Sequence, residues 1–431
     1  MFFLSLHPNM KYLRWLLFPF SLLYGLVVII RNFCYDAGIF TSRKFKKPII
    51  SIGNLDVGGA GKSPMTEYLI RLLKGEYKLA TLSRGYGRKT KGYFEAGPSI
   101  ERQESRTKGL EAGDEISPDV PAVSGVSGVS GVSPVSETPA DNNHSRLATH
   151  YSPLTTHLPI AIGTPLSTKI GDEPAQFKHK FPDITVAVCE KRVEGIRRLI
   201  PNHDLILLDD AYQHRAVEPG LSILLFDYNR VNEPHLLLPA GNLREPFSGR
   251  WRAQIIIVTK CPAMLTDDEQ AALGLKIKPL PYQQLFFTTI SYQQLQGLDG
   301  APVDFTIDKE TTVFLLTGIA NAKPLVQHLN GYTFQIIHHK YPDHHPFTLK
   351  NITKLADEFL ACASQKKIII TTEKDAQRLE ESWVKQVMPD LGKLPVFVMP
   401  IQVVFLTESG QSFNQLIFEY VRQHPAFHSI H

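Results

Sequence analysis

GNLDVGGAGKSP, residues 53–64, follows the apolar run PIISI at residues 48–52 and precedes the helix-like stretch MTEYLIRLL at residues 65–73. A strand that turns through small residues into a helix N-terminus aims several backbone N–H groups at one point, where phosphate oxygens accept them. In this pattern Lys62 reaches the β- and γ-phosphates of a nucleotide and the Ser63 hydroxyl holds Mg²⁺. The loop departs from GxxxxGK[ST] at its first position, where Asp56 stands in place of glycine. Gly58, Gly59, Gly61, Lys62 and Ser63 then follow in order, and Pro64 suits a first helical turn. The strand-to-helix context argues against a chance glycine-rich turn.

Outward from the loop, a short apolar strand at residues 78–82 ends in SRGYGR, residues 83–88, which completes a βαβ start. From about residue 97 to residue 169 the composition collapses into Ser, Pro, Thr, Gly and Val, with tandem GVS repeats near residues 125–133. Such a stretch buries too little apolar surface to offset its ordering entropy, and is expected to be a disordered surface insert. Order is expected to resume at GDEPAQFKHKFPD, with a strand at 184–188, a helix at 191–199, and strands at 205–208, 222–226 and 255–258. Strands alternating with helices imply an α/β fold with a doubly wound parallel sheet of the P-loop NTPase type. A second set begins with VFLLTGIAN after Thr312, continues through a helix at 323–329 and resumes with IIITTEKDAQRL at 368–379. The expected organisation is an N-terminal membrane-associated helix at 1–35, a P-loop core at 36–285 carrying the insert at 97–169, and a smaller α/β domain at 286–431.

The chain has 431 residues, of which 43% are hydrophobic, enough for two domains with real cores. Its net charge of +4 is too weak to argue for nucleic acid, and no run of basic and aromatic residues forms a binding platform. The four cysteines are far apart, with no CxxC pair, which fits a reducing compartment and no zinc. Residues 15–30, WLLFPFSLLYGLVVII, carry no charge and are flanked by Lys11, Arg14 and Arg31. This segment is expected to meet a membrane, either spanning it or lying in one leaflet, since the run is shorter than about 20 residues. The cluster Arg43, Lys44, Lys46 and Lys47 puts its following side in the cytosol. A buried core helix with a solvated basic flank is the alternative.

Three further stretches carry chemistry. HDLILLDDAYQH, residues 203–214, is an apolar strand ending in two carboxylates, as a Walker B strand is when it brings acid to the Mg²⁺ of a phosphate loop. Asp209 and Asp210 are therefore metal candidates; side chains alternate along a strand, so one of the two is expected near the ion. GDEP at residues 171–174 places Asp172 and Glu173 in a tight turn before a helix, where a carboxylate serves as N-cap or as general base. A second GDE at residues 113–115 leads into low-complexity sequence and is set aside. YPDHHPF, residues 341–347, offers Asp343, His344 and His345, and an Asp-His pair tunes a base or holds a substrate hydroxyl. Arg84, Arg88 and Arg244 are forked donors suited to phosphate or to ordinary ion pairs.

Taken in order, WLLFPFSLLYGL, GNLDVGGAGKSP, LSRGYGR, GDEP, LLDDAYQH, LPAGNLREP, GIANAKP, YPDHHPF and TTEKDA resemble the tetraacyldisaccharide 4'-kinase family, the lipid A kinases of Gram-negative bacteria. The resemblance implies ATP-dependent phosphorylation of the 4'-hydroxyl of an acylated glucosamine disaccharide 1-phosphate at the cytoplasmic face of the inner membrane, with no obligate protein partner evident. It also implies that Asp56, Val57, Gly58, Gly59, Ala60, Gly61, Lys62 and Ser63 bind ATP. Asp209 and Asp210 would supply the Walker B acid beside Ser63, and Asp172 would act as base beside His344, with Lys62 at the transferring phosphate. The family's loop usually ends in Gly-Lys-Thr; Ser63 keeps the hydroxyl.

A membrane-associated P-loop ATPase driving assembly or transport is the rival, but Val57 occupies the position of the signature lysine in its KGGxGK[ST] loop. A GTP-binding module is a third reading, and the chain contains no NKxD; TEKD at 372–375 and VTKC at 258–261 are poor substitutes.

Overall fold

The structure, a computed structural model, describes residues 11–97, 166–379 and 394–425. The low-complexity repeats and the GDE at 113–115 lie outside the described residues.

Fourteen strands build two sheets among the described residues. The large sheet takes β1 (Ile49–Asn54), β2 (Leu79–Ser83), β3 (Phe94–Ala96), β4 (Thr185–Val188), β5 (Leu205–Asp209), β6 (Leu221–Asp227), β7 (Ile255–Thr259), β8 (Gln284–Tyr292) and β14 (Ile401–Phe405). Its order is β14-β8-β7-β6-β1-β5-β2-β4-β3, parallel from β8 to β4 and antiparallel only at the two edges. The small sheet takes β9 (Gln296–Gly297), β10 (Thr312–Thr317), β11 (Ile336–Lys340), β12 (Lys367–Thr372) and β13 (Val396–Met399) in the order β11-β10-β12-β13-β9.

Central strands are apolar throughout because both faces are covered, as in other parallel sheets. Ile50 and Ile52 of β1, with Leu205 and Leu207 of β5, enter one core layer, while Ile49, Ile206 and Leu208 enter the layer behind the sheet. That two-residue alternation fixes the register Ile49↔Ile206 to Ile52↔Asp209. The first layer is closed by α2 (Lys62–Leu73), by α4 (Asp172–Lys180) and by α10 (Ser409–Arg422), which contributes Phe413, Ile417 and Val421. Behind the sheet lies α5 (Arg192–Leu199), and α6 (Asp267–Ile277) packs Leu273 and Ile277 against β6 and β7. The small sheet is covered by α7 (Lys323–Asn330) and α8 (Leu349–Ala361). Tyr420 of α10 accepts from the Ile49 amide and donates to the Ile49 carbonyl, both at 3.1 Å, so the last helix pins the start of the first strand.

The architecture matches the expected α/β class, but the chain returns where no return was expected. A boundary at 285/286 falls inside β8, and β8 pairs directly with β14 although the whole small sheet lies between them in sequence. The second set of elements is therefore inserted between two neighbouring strands of the large sheet. The expected end of the insert also moves: Leu166–Ile170 form the short helix α3, where Ser167 is buried and donates to the Gln377 carbonyl at 3.1 Å.

The apolar N-terminus forms α1 (Lys11–Asp36), whose residues Leu16–Asp36 are long and apolar enough to cross a membrane by length and composition. It is not a core helix. Ser21, Gly25 and Val28 make one buried stripe, and Ser21 accepts from the Ala240 amide at 2.8 Å while donating to the Leu237 carbonyl at 3.0 Å. Tyr24 donates to the Arg244 carbonyl at 2.7 Å, and Asn32 to Glu245 at 3.3 Å. Leu22, Leu23, Leu26, Val27 and Phe33, on the remaining surface, are exposed.

Candidate active site

The strands β1, β5, β2 and β4 all end on one side of the large sheet, and the site is built from the loops and helix starts beyond those ends. After β1, residues 55–61 turn into α2 with Gly58 at φ 115° and Gly61 at φ 83°, left-handed values that an ordinary side chain resists. Gly61 is the N-cap of α2, so the first helical residues are Lys62 and Ser63, as the loop pattern requires. The Lys62 ammonium donates to Asn54 Oδ1 at 3.0 Å and lies 3.5 Å from Asp210. Asn54 is fully buried and also donates to the Asp56 carbonyl at 2.8 Å, tying the entry of the loop to its exit. Burial lifts the Asp56 carboxyl to about 6 despite the charge of Arg230. On the far side, Thr259 donates to the Ala60 carbonyl at 2.9 Å, and Lys260 bonds the Gly59 carbonyl and pairs with Asp227 at 2.7 Å.

After β5, both carboxylates turn towards α2, contrary to the strand-alternation expectation. Asp209 ends β5 and accepts from Thr66 at 3.2 Å, whereas Asp210 has left the strand at φ 48° and lies against Lys62 and Arg244. Period-two alternation holds only while the backbone stays extended. Burial, then the charge of Asp210, pushes Asp209 up to about 7; burial acts on Asp210 too, but Lys62 and Arg244 outweigh it and hold that carboxyl low. A buried carboxylate beside a second one, with a hydroxyl nearby, is a hard-oxygen donor set of the kind that fits Mg²⁺.

Asp172 is the first residue of α4, but the N-cap is Gly171, at φ 96°, so the capping alternative for Asp172 falls away. A Cβ on Gly171 would stand 2.7 Å from the Tyr86 carbonyl, which is how closely the loop after β2 packs on this turn. The Asp172 side chain meets the small sheet instead. Its Oδ2 lies 2.9 Å from Nδ1 of His344 and accepts from Nε of Arg378 at 2.9 Å. Burial alone would raise this carboxyl, but the hydrogen bonds from His344 and the charge and hydrogen bond of Arg378 hold it below the usual range. His344 sits at φ 58°, a strained value for a non-glycine residue, fixed by its amide bonding the Gly318 carbonyl at 3.0 Å. Its neighbour His345 stacks on Tyr341 and bonds Asn351, a structural role.

Of the three arginines, Arg88 pairs with Glu190 and is structural, Arg244 reaches Asp210 at 3.4 Å, and Arg84 is exposed. Burial, followed by the charges of Arg192, Arg31 and Arg84, drives His214 down to about 4.

The sequence model of the LpxK family, described as tetraacyldisaccharide-1-P 4'-kinase, matches residues 13–117 and 157–421. The chain belongs to this kinase family. Among curated relatives it is similar to the tetraacyldisaccharide 4'-kinase of Phocaeicola vulgatus, with 38% identity covering 95% of each chain. That of Flavobacterium johnsoniae is 36% identical, over 96% of this chain and 99% of the relative. A crystal structure of "apo" form LpxK from Aquifex aeolicus in complex with ATP superposes with a TM-score of 0.63 at 25% identity, covering 95% of this chain and 99% of that one. The tetraacyldisaccharide 4'-kinase motifs thus fall into two clusters: loop, Asp209 and Asp210 on the large sheet, and Asp172 with His344 where the small sheet meets it. Asn54, Thr66 and Arg378 also belong to these clusters, although no sequence pattern drew attention to them. Arg378 alone left a trace, standing three residues after the aspartate of TTEKDA.

Proposed function

We propose that this chain transfers the γ-phosphate of ATP to the 4'-hydroxyl of a tetraacylated glucosamine disaccharide 1-phosphate in lipid A biosynthesis, with Asp172 as the base. The observation that carries this reading is the 2.9 Å contact between Asp172 Oδ2 and His344 Nδ1, in a fold that also carries the phosphate loop. A base so held orients a nucleophile for phosphoryl transfer, and the family to which the chain belongs favours a sugar hydroxyl over water as that nucleophile.

Residues 56–63 would cradle the triphosphate, with Lys62 leaving Asn54 and Asp210 to meet it. Ser63, Asp209 and Asp210 would hold Mg²⁺, which when bound neutralises charge on the β- and γ-phosphates. Asp172, ionised and fixed by His344 and Arg378, orients the acceptor hydroxyl and takes its proton as the oxygen bonds to the γ-phosphorus, whose bond to the β–γ bridging oxygen breaks to release ADP. Phosphoryl transfer passes through a loose transition state, so a carboxylate of low basicity suffices when its position is right. The exposed Arg84, in the loop after β2, suits an acceptor that itself carries a phosphate.

The exposed apolar face of α1 supports work at a lipid surface, on the cytoplasmic side of the inner membrane. Contacts from Ser21 to Asn32 hold about 16 Å of α1 against the protein, which supports a helix lying sideways in one leaflet.

Transfer of radiolabelled phosphate from ATP to the purified lipid tests the reading. Labelled 4'-phosphorylated product is expected, lost in Asp172→Asn with ATP binding intact, and retained in Asp114→Asn. ATP hydrolysis indifferent to the lipid, with no labelled product, would establish the ATPase instead.

A further inference from the structure

TTEKDA contributed to the family resemblance but received no role in the site. Its lysine, Lys374, lies on α9 (Glu373–Ala376), directly after β12. Thr372 caps this turn, accepting from the Asp375 amide at 3.1 Å, and Asp375 in turn accepts from the Gly318 amide at 3.1 Å. Gly318 also accepts the amide of His344, so the helix and the histidine are held on one frame.

On that frame the Lys374 Nζ lies 3.1 Å from His344 Nε2. An ammonium has only N–H bonds to offer, so the ring nitrogen facing it must present its lone pair. The ring proton then sits on Nδ1, where it donates to Asp172 Oδ2. The other charged groups around the ring leave this assignment standing. Asp343 Oδ2 is 3.8 Å from Nε2, too far for a hydrogen bond, and Glu173 pairs with Lys374 at 2.9 Å rather than with the ring. Arg378 reaches the shared carboxylate, and Tyr86 faces the ring at 5.5 Å.

We infer that Lys374 is a positioning residue for phosphoryl transfer: by donating to Nε2 it fixes His344 as the Nδ1–H tautomer that holds Asp172. The inference rests on the reading of Asp172 as base. Without the ammonium, Nε2 is free to take a proton from solvent, and a ring whose proton shifts there turns an Nδ1 lone pair on the Asp172 carboxylate. A base facing the wrong tautomer is misplaced even though every contact residue remains.

A double-mutant cycle tests it. Lys374→Met is expected to lower kcat by about 10- to 100-fold, with KM for ATP within about twofold. In a His344→Ala background the same substitution is expected to cost less than about twofold, because its route to Asp172 is already gone. Full additivity in that background, or an unchanged kcat in the single variant, overturns the inference by making Lys374 merely structural. Nitrogen-15 NMR of selectively labelled His344 in the unmodified kinase gives a second reading that needs no variant to fold: the Nδ1–H tautomer is expected, and the Nε2–H tautomer overturns the inference. Full activity of both Asp172→Asn and His344→Ala would remove the base itself, an outcome distinct from additivity.

Discussion

Arg378 donates to the same Asp172 oxygen that faces His344, at 2.9 Å, so two side chains of the small sheet grip a residue of the large one. Both partners are largely buried, with 7% and 14% of their side chains exposed. Because the Asp172 carboxyl is held below its unfolded value, its contribution to stability is present above a pH of about 4 and is lost as the pH falls through the folded value. Arg378→Gln is expected to move the Asp172-dependent acid limb of kcat/KM to higher pH than in the unmodified kinase. The same variant is expected to lose roughly 3–5 kcal/mol in urea unfolding at pH 7.

Asn54 joins the two ends of the phosphate loop through the Asp56 carbonyl and the Lys62 ammonium. Asn54→Ala removes both bonds and leaves a buried carbonyl without that donor. ATP affinity by calorimetry is expected to fall about tenfold, a loss of roughly 1–2 kcal/mol, with the melting temperature lowered by a few degrees.

Lys180, at the end of α4, pairs with Glu67 of α2 and Glu373 of α9, all three largely buried, and Gln176 donates to Glu67 at 2.6 Å. Lys180→Met leaves two carboxylates facing each other, and a loss of roughly 3–5 kcal/mol near neutral pH is expected in denaturant melts. Burial first, then Glu67, raises Glu373 to about 7. A raised carboxyl keeps its proton longer in the folded state, so this group costs stability progressively as the pH rises from about 4 to about 7. Glu373→Gln is expected to flatten that part of the stability profile between pH 5 and 7.

Leu22, Leu23 and Leu26 protrude from α1 with 61%, 63% and 54% of their surface exposed. Replacing all three with Ser is expected to change folding stability by less than about 0.5 kcal/mol. Co-sedimentation with anionic vesicles is expected to weaken at least about tenfold, since each leucine withdrawn from lipid loses roughly 1–2 kcal/mol of burial.

The loop, the Walker B strand and the class of fold were legible because each is a local pattern: the eight consecutive residues 56–63 form the loop, and the continuous apolar runs of β1 and β5 mark a sheet buried on both faces. Asp172 and His344 were legible as motifs, but their meeting is a contact between residues 172 positions apart, implied only through the family resemblance. Asp210 misled the alternation rule because its left-handed backbone is a tertiary outcome with no signature in a two-residue window. Arg378 and Lys180 belong to no local pattern, and only packing shows that they are enclosed. The return of β14 and α10 to the large sheet was hidden for the same reason: strand pairing across the whole small sheet leaves no local trace.

The bond between Tyr420 and Ile49 links residues 371 positions apart, and it gives chain synthesis a direction. The strand that bears the phosphate loop leaves the ribosome first, but its anchor arrives last, roughly 20–75 s later at 5–20 residues per second. Until α10 emerges, the edge of β8 and the apolar wall awaiting Phe413 stay open to other chains. Nascent kinase is thus exposed to misassembly for as long as α10 is missing, and a ribosome that stops short of α10 releases a nucleotide loop on an unfinished sheet.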